Sequence, residues 1–146
     1  MELKQRFFKK IKEDAILPQR STIGSAGYDF FSCEDIIIEP HEIKLVHTGV
    51  LAFFPRNNVL ELYNRSSNPI KKGLILANGV GVVDSDYYGN ADNDGEIMFC
   101  FYNIKNEPVT IKKGDKIGQG VFSEFFLVDD DNAWQKRTGG WGSTGN

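Results

Sequence analysis

Two segments of the chain carry residue types that could hold a phosphate group. Arg65-Ser66-Ser67 offers a guanidinium, two hydroxyls and consecutive backbone N–H donors, and such a set suits an anion-binding turn. Residues 139–145 are rich in glycine and supply further backbone donors close to Arg137. Taken alone, the first segment is also typical of a solvated turn and the second of a loose tail.

A third segment carries carboxylates. Asp84 and Asp86 directly follow the apolar residues 81–83. A carboxylate at the end of a buried strand is a candidate general base or metal ligand. On extended chain the two side chains would point the same way and could share a cation, whereas in a turn they are ordinary turn formers. These residues alone leave both interpretations open.

Short runs of β-branched and aromatic residues must position these segments, and turn signals separate the runs. Because residues 97–102 are apolar on both faces, they predict a central strand with cover on each side. Many short strands favour an all-β sandwich, jelly roll or barrel over an α/β fold. Strands are predicted at 36–38, 44–54, 59–63, 79–83, 97–102, 109–111 and 121–128.

The N-terminal segment is ambiguous. Residues 6–11 fit a strand, but Leu3, Phe7, Phe8 and Ile11 also follow helical spacing. Periodicity alone does not choose between the two.

Composition excludes several classes of protein. The chain has 146 residues, which is the size of one domain, and its 40% hydrophobic content argues against disorder. The net charge of −3 disfavours a general nucleic-acid binder, and no apolar run approaches the roughly 18 residues of a membrane span. Two isolated cysteines, Cys33 and Cys100, are typical of reduced thiols. We therefore expect a cytoplasmic single-domain protein with neither membrane nor nucleic acid as partner.

Five motifs occur in a fixed order and together are far more specific than any one of them. They are 26–30 (AGYDF), 65–67 (RSS), 78–89 (NGVGVVDSDYYG), 114–119 (GDKIGQ) and 139–145 (GGWGSTG). This series resembles the trimeric dUTP pyrophosphatases (dUTPases) over nearly the whole chain, from about residue 16. An insertion at residues 90–94 further resembles the dUTPases of Gram-positive bacteria and their phages.

The resemblance implies a fold, an assembly and a reaction. Residues 1–136 would form a jelly-roll-like β-barrel, with a strand near the N-terminus. Residues 137–146 would form an arm that closes over the active site of a neighbouring subunit in a homotrimer. The reaction would be the hydrolysis of dUTP to dUMP and pyrophosphate, with Mg²⁺ on the triphosphate.

The resemblance also implies roles for the polar residues. Asp84 would activate the water that attacks the α-phosphorus. Asp29 would reach the metal through water, or would only support the neighbouring hairpin. Arg137 or Lys136 would contact the γ-phosphate. The rest of the phosphate chain would be held by Arg65, Ser66, Ser67 and Gln119.

A second group of residues would select the nucleotide. Uracil would lie in the hairpin of residues 78–84, read by main-chain groups and by the Asn78 amide, because fixed donors and acceptors reject cytosine. Tyr87 would lie under the deoxyribose and exclude a 2′-hydroxyl, and Trp141 would stack on the base. The hairpin residues Val82 and Val83, and Met98 on the return strand, complete the predicted site.

The sequence departs from the usual dUTPase pattern at three places, and two rival interpretations remain. Asn64 stands where proline is common, residues 90–94 lengthen a turn beside the site, and Arg137 lies one residue closer to the glycine pair than usual. The rivals are a dCTP deaminase with a related fold and a regulatory protein whose binding dUTP controls. In the second case the insertion would be the contact surface for a protein partner.

Overall fold

The computed structural model describes residues 5–145, and within them the chain forms eleven short β-strands. A single π-helical turn, Asn68–Lys72, and a 3₁₀ turn, Ser85–Tyr87, interrupt the described strands. The strands are β1 (Phe7–Lys10), β2 (Tyr28–Phe31), β3 (Ile36–Ile38), β4 (Ile43–His47), β5 (Val50–Phe53), β6 (Asn58–Asn64), β7 (Leu74–Leu76), β8 (Gly81–Val83), β9 (Met98–Asn103), β10 (Val109–Ile111) and β11 (Lys116–Glu124).

All strand pairs of the described residues are antiparallel and fall into four small sheets. The largest has the order β2-β11-β6-β8, and a second has the order β4-β9-β7. The other two are the pairs β1-β5 and β10-β3. This arrangement confirms the predicted all-β, jelly-roll-like fold. Within the described residues, no helix has the length and apolar character that crossing a membrane requires.

Aromatic rings fill the core against the bare backbone of β11. Phe30, Phe99 and Phe101 are fully buried. A methyl group on Gly118 would overlap the ring of Phe99, and one on Gly120 would lie 2.8 Å from Cε1 of Phe30. The two glycines therefore let the rings pack directly onto the strand.

Several sequence-based element predictions need correction. The predicted strand 44–54 is two strands in different sheets, because Gly49 has a φ of +69° and turns the chain between β4 and β5. The predicted strand 121–128 begins earlier, at Lys116, and ends at Glu124. Strands β2 and β7 were not predicted.

Other predictions are confirmed. The N-terminal segment is a strand, since Phe7–Lys10 pairs with β5; the alternative helix is wrong there, and Leu3 lies outside the described residues. Strand β9 lies at the centre of its sheet, between β4 and β7, as its two apolar faces predict. Both described cysteines are free thiols.

Candidate active site

A tight turn joins β7 to β8 and forms one wall of the candidate pocket. The predicted hairpin of residues 78–84 is wrong as a pair of strands, because β7 pairs with β9 and β8 pairs with β6. The name hairpin is kept below for this segment alone. Gly79 donates its N–H to the carbonyl oxygen of Leu76 at 3.0 Å, and its φ of +73° lies in the left-handed region that glycine adopts without strain. Gly81 packs closely on β6, where an added methyl group would lie 3.0 Å from Cβ of Leu62. The hairpin is therefore held against the large sheet while Asn78 stays exposed at its tip.

The pocket encloses about 240 Å³ between this hairpin, β9 and the C-terminal arm. Its floor is apolar and includes Leu62, Ile97 and Phe99. Eight of the residues predicted from the sequence line it together: Asn78, Val82, Val83, Asp84, Tyr87, Met98, Arg137 and Trp141.

Two carboxylates, of which Asp84 lines the pocket, share one guanidinium. Asp84 is extended backbone directly after β8, and its side chain is 54% exposed. Arg137 donates from Nη2 to Oδ2 of Asp84 at 2.5 Å and from Nε to Oδ1 of Asp86 at 2.8 Å. The Arg137 side chain is only 10% exposed, so this charge-assisted contact places the arm beside the candidate base. Lys136, which directly precedes the arm, is exposed and does not line the pocket.

Tyr87 is fixed at the side of the pocket by its hydroxyl group. The hydroxyl donates to the carbonyl oxygen of Glu96 at 2.6 Å and accepts from Nδ2 of Asn93 at 2.9 Å. Burial raises the pKa of the Tyr87 phenol above its usual value, and the Asn93 hydrogen bond partly opposes this shift. The ring is therefore a neutral and rigid surface at the pocket.

The insertion at residues 90–94, called the inserted turn below, is ordered by its own amides. The side-chain oxygen of Asn90, a buried residue, accepts the N–H groups of Asp92 and Asn93, and its amide donates to the carbonyl oxygen of Tyr87 at 2.7 Å. Oδ1 of Asn93 accepts the N–H of Gly95. The inserted turn is thus continuous with the wall of the pocket.

The candidate phosphate turn lies at the far end of β6. Oδ1 of Asn64 accepts the Arg65 N–H at 2.9 Å and an amide N–H of Asn68 at 2.7 Å. The Asn68 amide also donates to the carbonyl oxygen of Ile117. These bonds fix the backbone that carries Arg65, and Ser66 remains exposed. Asn64, a departure from the family pattern, is therefore an anchor of this turn.

Asp29 and Gln119 lie near the same end of the large sheet. Gln119 pairs with Asp29 on one side and with Tyr63 on the other. The Asp29 carboxylate accepts a hydrogen bond from Ser21 at 2.5 Å and lies 3.4 Å from Nζ of Lys116. Among residues 5–145, no three His, Cys, Asp or Glu side chains cluster to hold a metal ion. A single carboxylate of this kind suits water-mediated contact with a substrate-bound Mg²⁺.

The candidate phosphate residues and the pocket are separate within one chain. Val83 pairs with Leu60, so Asp84 lies near the start of β6, while Arg65 follows its end. At about 3.3 Å per residue, the strand between these two levels is about 20 Å long. None of the four predicted phosphate-chain residues Arg65, Ser66, Ser67 and Gln119, nor Asp29, lines the pocket.

Comparisons with known proteins identify the family of this chain. A family model described as dUTPase matches residues 13–145. The chain belongs to the dUTPase family. A dUTPase relative from Lactococcus lactis subsp. lactis (strain IL1403), named deoxyuridine 5′-triphosphate nucleotidohydrolase, is 50% identical over 131 residues, which cover 88% of this chain and 87% of the relative. A relative of the same name from Desulfitobacterium hafniense (strain DSM 10664 / DCB-2) is 40% identical, with the same coverage.

Solved dUTPase structures share the fold. The dUTPase of Streptococcus mutans has a TM-score of 0.80 and 43% identity, over 84% of this chain and 98% of that chain. A mutant dUTPase from phage phi11 of S. aureus, described with a structural Mg(II) ion, has a TM-score of 0.77 and covers 90% of this chain and 98% of its own. At 22% identity this second likeness concerns the fold alone. The relatives from Lactococcus lactis and Streptococcus mutans agree with the Gram-positive type expected from the sequence.

Sequence reasoning missed several residues of this dUTPase site. Cys100 lines the pocket, and burial raises the pKa of its thiol, which favours the protonated form. Asn93 and Asp92 were noted only as part of an insertion. Their asparagine-rich composition is a signal for an ordered turn, but nothing in the sequence indicates which groups the turn contacts.

Proposed function

We propose that the protein hydrolyses dUTP to dUMP and pyrophosphate. The observation that carries the proposal is one pocket in which the uracil hairpin, the exposed carboxylate of Asp84, the fixed ring of Tyr87 and the arm meet. A 50% identical relative named for this activity supports the assignment. Neither the glutamate-centred chemistry of a deaminase nor a purely regulatory role is favoured by an observation at this pocket.

Asp84 is the proposed general base. Its carboxylate has a fixed backbone at the end of β8 and an exposed side chain, so water has access to it. An ionised carboxylate within hydrogen-bonding distance of a water can orient it and accept its proton as it attacks the α-phosphorus. The proton passes to the carboxylate, and the bond between the α-phosphorus and the bridging oxygen breaks to release pyrophosphate.

The hairpin and Tyr87 are the proposed determinants of selectivity. The Asn78 amide and the main chain of β8 offer donors and acceptors for the uracil edge, which cytosine would leave unpaired. The Tyr87 ring is held from two sides by Glu96 and Asn93. A ring that cannot retreat excludes the additional 2′-hydroxyl of a ribonucleotide. Trp141 covers the pocket and can stack on the base.

The phosphate chain is the proposed ligand of Arg65, Ser66, Ser67 and Gln119, with Arg137 at the γ-phosphate. Mg²⁺, when bound to the triphosphate, neutralises charge that would repel the incoming water. Asp29 is the proposed carboxylate that approaches this ion through water. Arg137 is favoured over Lys136 because its guanidinium lines the pocket.

The separation of these groups supports a homotrimer with shared sites. About 20 Å of β6 lies between the levels of Asp84 and Arg65, too far for both to act on one triphosphate. A second subunit would supply the missing phosphate residues. Residues 125–136, which precede the arm, form no strand and carry Phe126 and Trp134 exposed. In the single chain the arm lies on its own pocket, where Arg137 contacts Asp84 and Gly140 contacts Asp92. In a trimer this segment would let the arm of residues 137–146 close instead over the equivalent pocket of a neighbouring subunit.

Mixed trimers test this arrangement. Arg65→Ala and Asp84→Asn should each be nearly inactive alone, because each removes one half of every site. Unfolding the two together and refolding them at equal concentration should restore about one quarter of the sites. Each variant refolded by itself is the control. Mixed trimers without activity would mean that both residues act within one chain.

Pyrophosphate release in the presence of Mg²⁺ tests the function itself, with dUTP compared against dCTP, dTTP and UTP and the products identified by chromatography. We expect release from dUTP alone, with dUMP as the product, because only uracil on deoxyribose satisfies both the hairpin and Tyr87. Release from several nucleotides would contradict the roles of Asn78 and Tyr87. No release from dUTP would overturn the proposed function.

We place the reaction in the cytoplasm. Cys33 and Cys100 are free thiols, and no disulfide occurs among the described residues, which fits a reducing compartment.

A further inference from the structure

The C-terminal arm meets the inserted turn at a pair of glycines. Gly140 donates its N–H to Oδ2 of Asp92 at 2.8 Å. A methyl group on Gly139 would overlap the same carboxylate, and one on Gly140 would lie 2.8 Å from Nδ2 of Asn93. Both glycines are buried. The close approach therefore depends on the absence of side chains at 139 and 140.

The inserted turn is a rigid partner for the arm. Asn90 and Asn93 hold its backbone by four hydrogen bonds to N–H groups of the turn and to each other. Asn93 also bonds the Tyr87 hydroxyl. The Asp92 carboxylate thus lies on an ordered turn that is bonded to the wall of the nucleotide pocket.

The arm has its own internal structure between the two contact points. Ser143 donates its hydroxyl to the carbonyl oxygen of Gly139 at 2.8 Å, and Arg137 reaches both groups. One end of the arm is held by Arg137 on Asp84, and the glycine pair is held by Asp92. Trp141 follows immediately and lies over the pocket.

We propose that Asp92 is a positioning residue for dUTP hydrolysis, which holds residues 137–145 closed over the nucleotide pocket through the amide of Gly140. The inference rests on the proposed function. It concerns the contact between inserted turn and arm, and it holds for an arm of the same or of a neighbouring subunit. A hydrogen bond to a charged acceptor is strong enough to shift an open–closed equilibrium of a short segment.

The first experiment measures closure without any nucleotide. In a Trp134→Phe background Trp141 is the sole tryptophan, and its exposed fraction is 47%. Asp92→Ala should raise the acrylamide quenching of Trp141 fluorescence about twofold as the arm opens. Asp92→Asn, which keeps an acceptor oxygen, should restore most of the protection. Asp94→Asn is the matched control, because it removes the same charge from the same turn without an arm contact.

The second experiment measures the consequence for the reaction. Asp92→Ala should lower kcat/KM for dUTP about tenfold, with little change in the melting temperature. Gly139→Ala should have a similar effect alone but a smaller one in the Asp92→Ala background, because the carboxylate that it overlaps is gone. Additive effects of the two changes would contradict the contact.

The outcomes separate this inference from the proposed function. Wild-type quenching and wild-type kcat/KM in Asp92→Ala would overturn the positioning role. So would a loss of activity with unchanged quenching and a lower melting temperature, since Asp92 would then act through general stability. A parent protein that does not hydrolyse dUTP at all would overturn the proposed function, and quenching would still decide whether Asp92 holds the arm.

Discussion

Asp84→Asn is expected to lower kcat for dUTP hydrolysis by about 10²–10⁴-fold, the usual contribution of a general base. The asparagine amide keeps the size of the side chain but cannot accept a proton from water. Binding of a nonhydrolysable α,β-imido analogue of dUTP should stay within a few-fold of the wild type. Steady-state kinetics and calorimetry of the two proteins measure these quantities.

Asp86→Asn is the matched control for this change. Asp86 also bonds Arg137, and its side chain is 57% exposed, close to the 54% of Asp84. Any effect that comes only from loosening Arg137 should appear in both variants, whereas the loss of the base should appear in Asp84→Asn alone. Equal losses in the two variants would assign the effect to the arm, and wild-type turnover in Asp84→Asn would remove Asp84 as the base.

Deletion of residues 139–146 is expected to lower kcat/KM for dUTP by about 10–100-fold. The deletion removes Trp141, and stacking of an aromatic side chain on a base is worth about 1–3 kcal/mol. It also removes the Gly139 carbonyl and the Ser143 hydroxyl that hold Arg137. Because the segment follows the last strand, β11, the melting temperature should change little.

Two point variants show which part of the arm matters. Trp141→Phe keeps an aromatic face and should retain most of the activity, whereas Trp141→Ala should lose most of what the deletion loses. The values of kcat/KM for dUTP and the melting temperatures of the variants show whether the aromatic face of Trp141 accounts for the effect of the deletion. A truncated protein with full activity would contradict the closing role of the arm.

The fold class could be predicted because it depends on local patterns. Short β-branched runs between turns determine an all-β chain wherever the strands pair. The break between β4 and β5 could not be predicted from local patterns. It depends on the positive φ of Gly49 and on a Thr48 hydroxyl that donates to the carbonyl oxygen of Ile97. That contact joins residues 49 positions apart.

The candidate site also has a part that local patterns predict and a part that depends on contacts between distant segments. Asn78, Val82, Val83 and Asp84 lie on one hairpin, so a contiguous motif brings them to one pocket. The Gly140–Asp92 contact joins segments 48 positions apart, and no local pattern indicates it. Predicting the separation of Arg65 from Asp84 also requires the strand register, because two motifs that are neighbours in the sequence lie at opposite ends of β6.

The two glycines of β11 have a consequence for the position of Gln119, which lies between them. Side chains alternate along a strand, so the rings that pack on Gly118 and Gly120 turn Gln119 to the opposite face. A slip of one residue would direct the glutamine into the aromatic core and leave a bare backbone on the face where we propose that Gln119 contacts phosphate. The packing of the two rings on Gly118 and Gly120 therefore fixes the register of β11, and the register fixes the face of the sheet on which Gln119 lies.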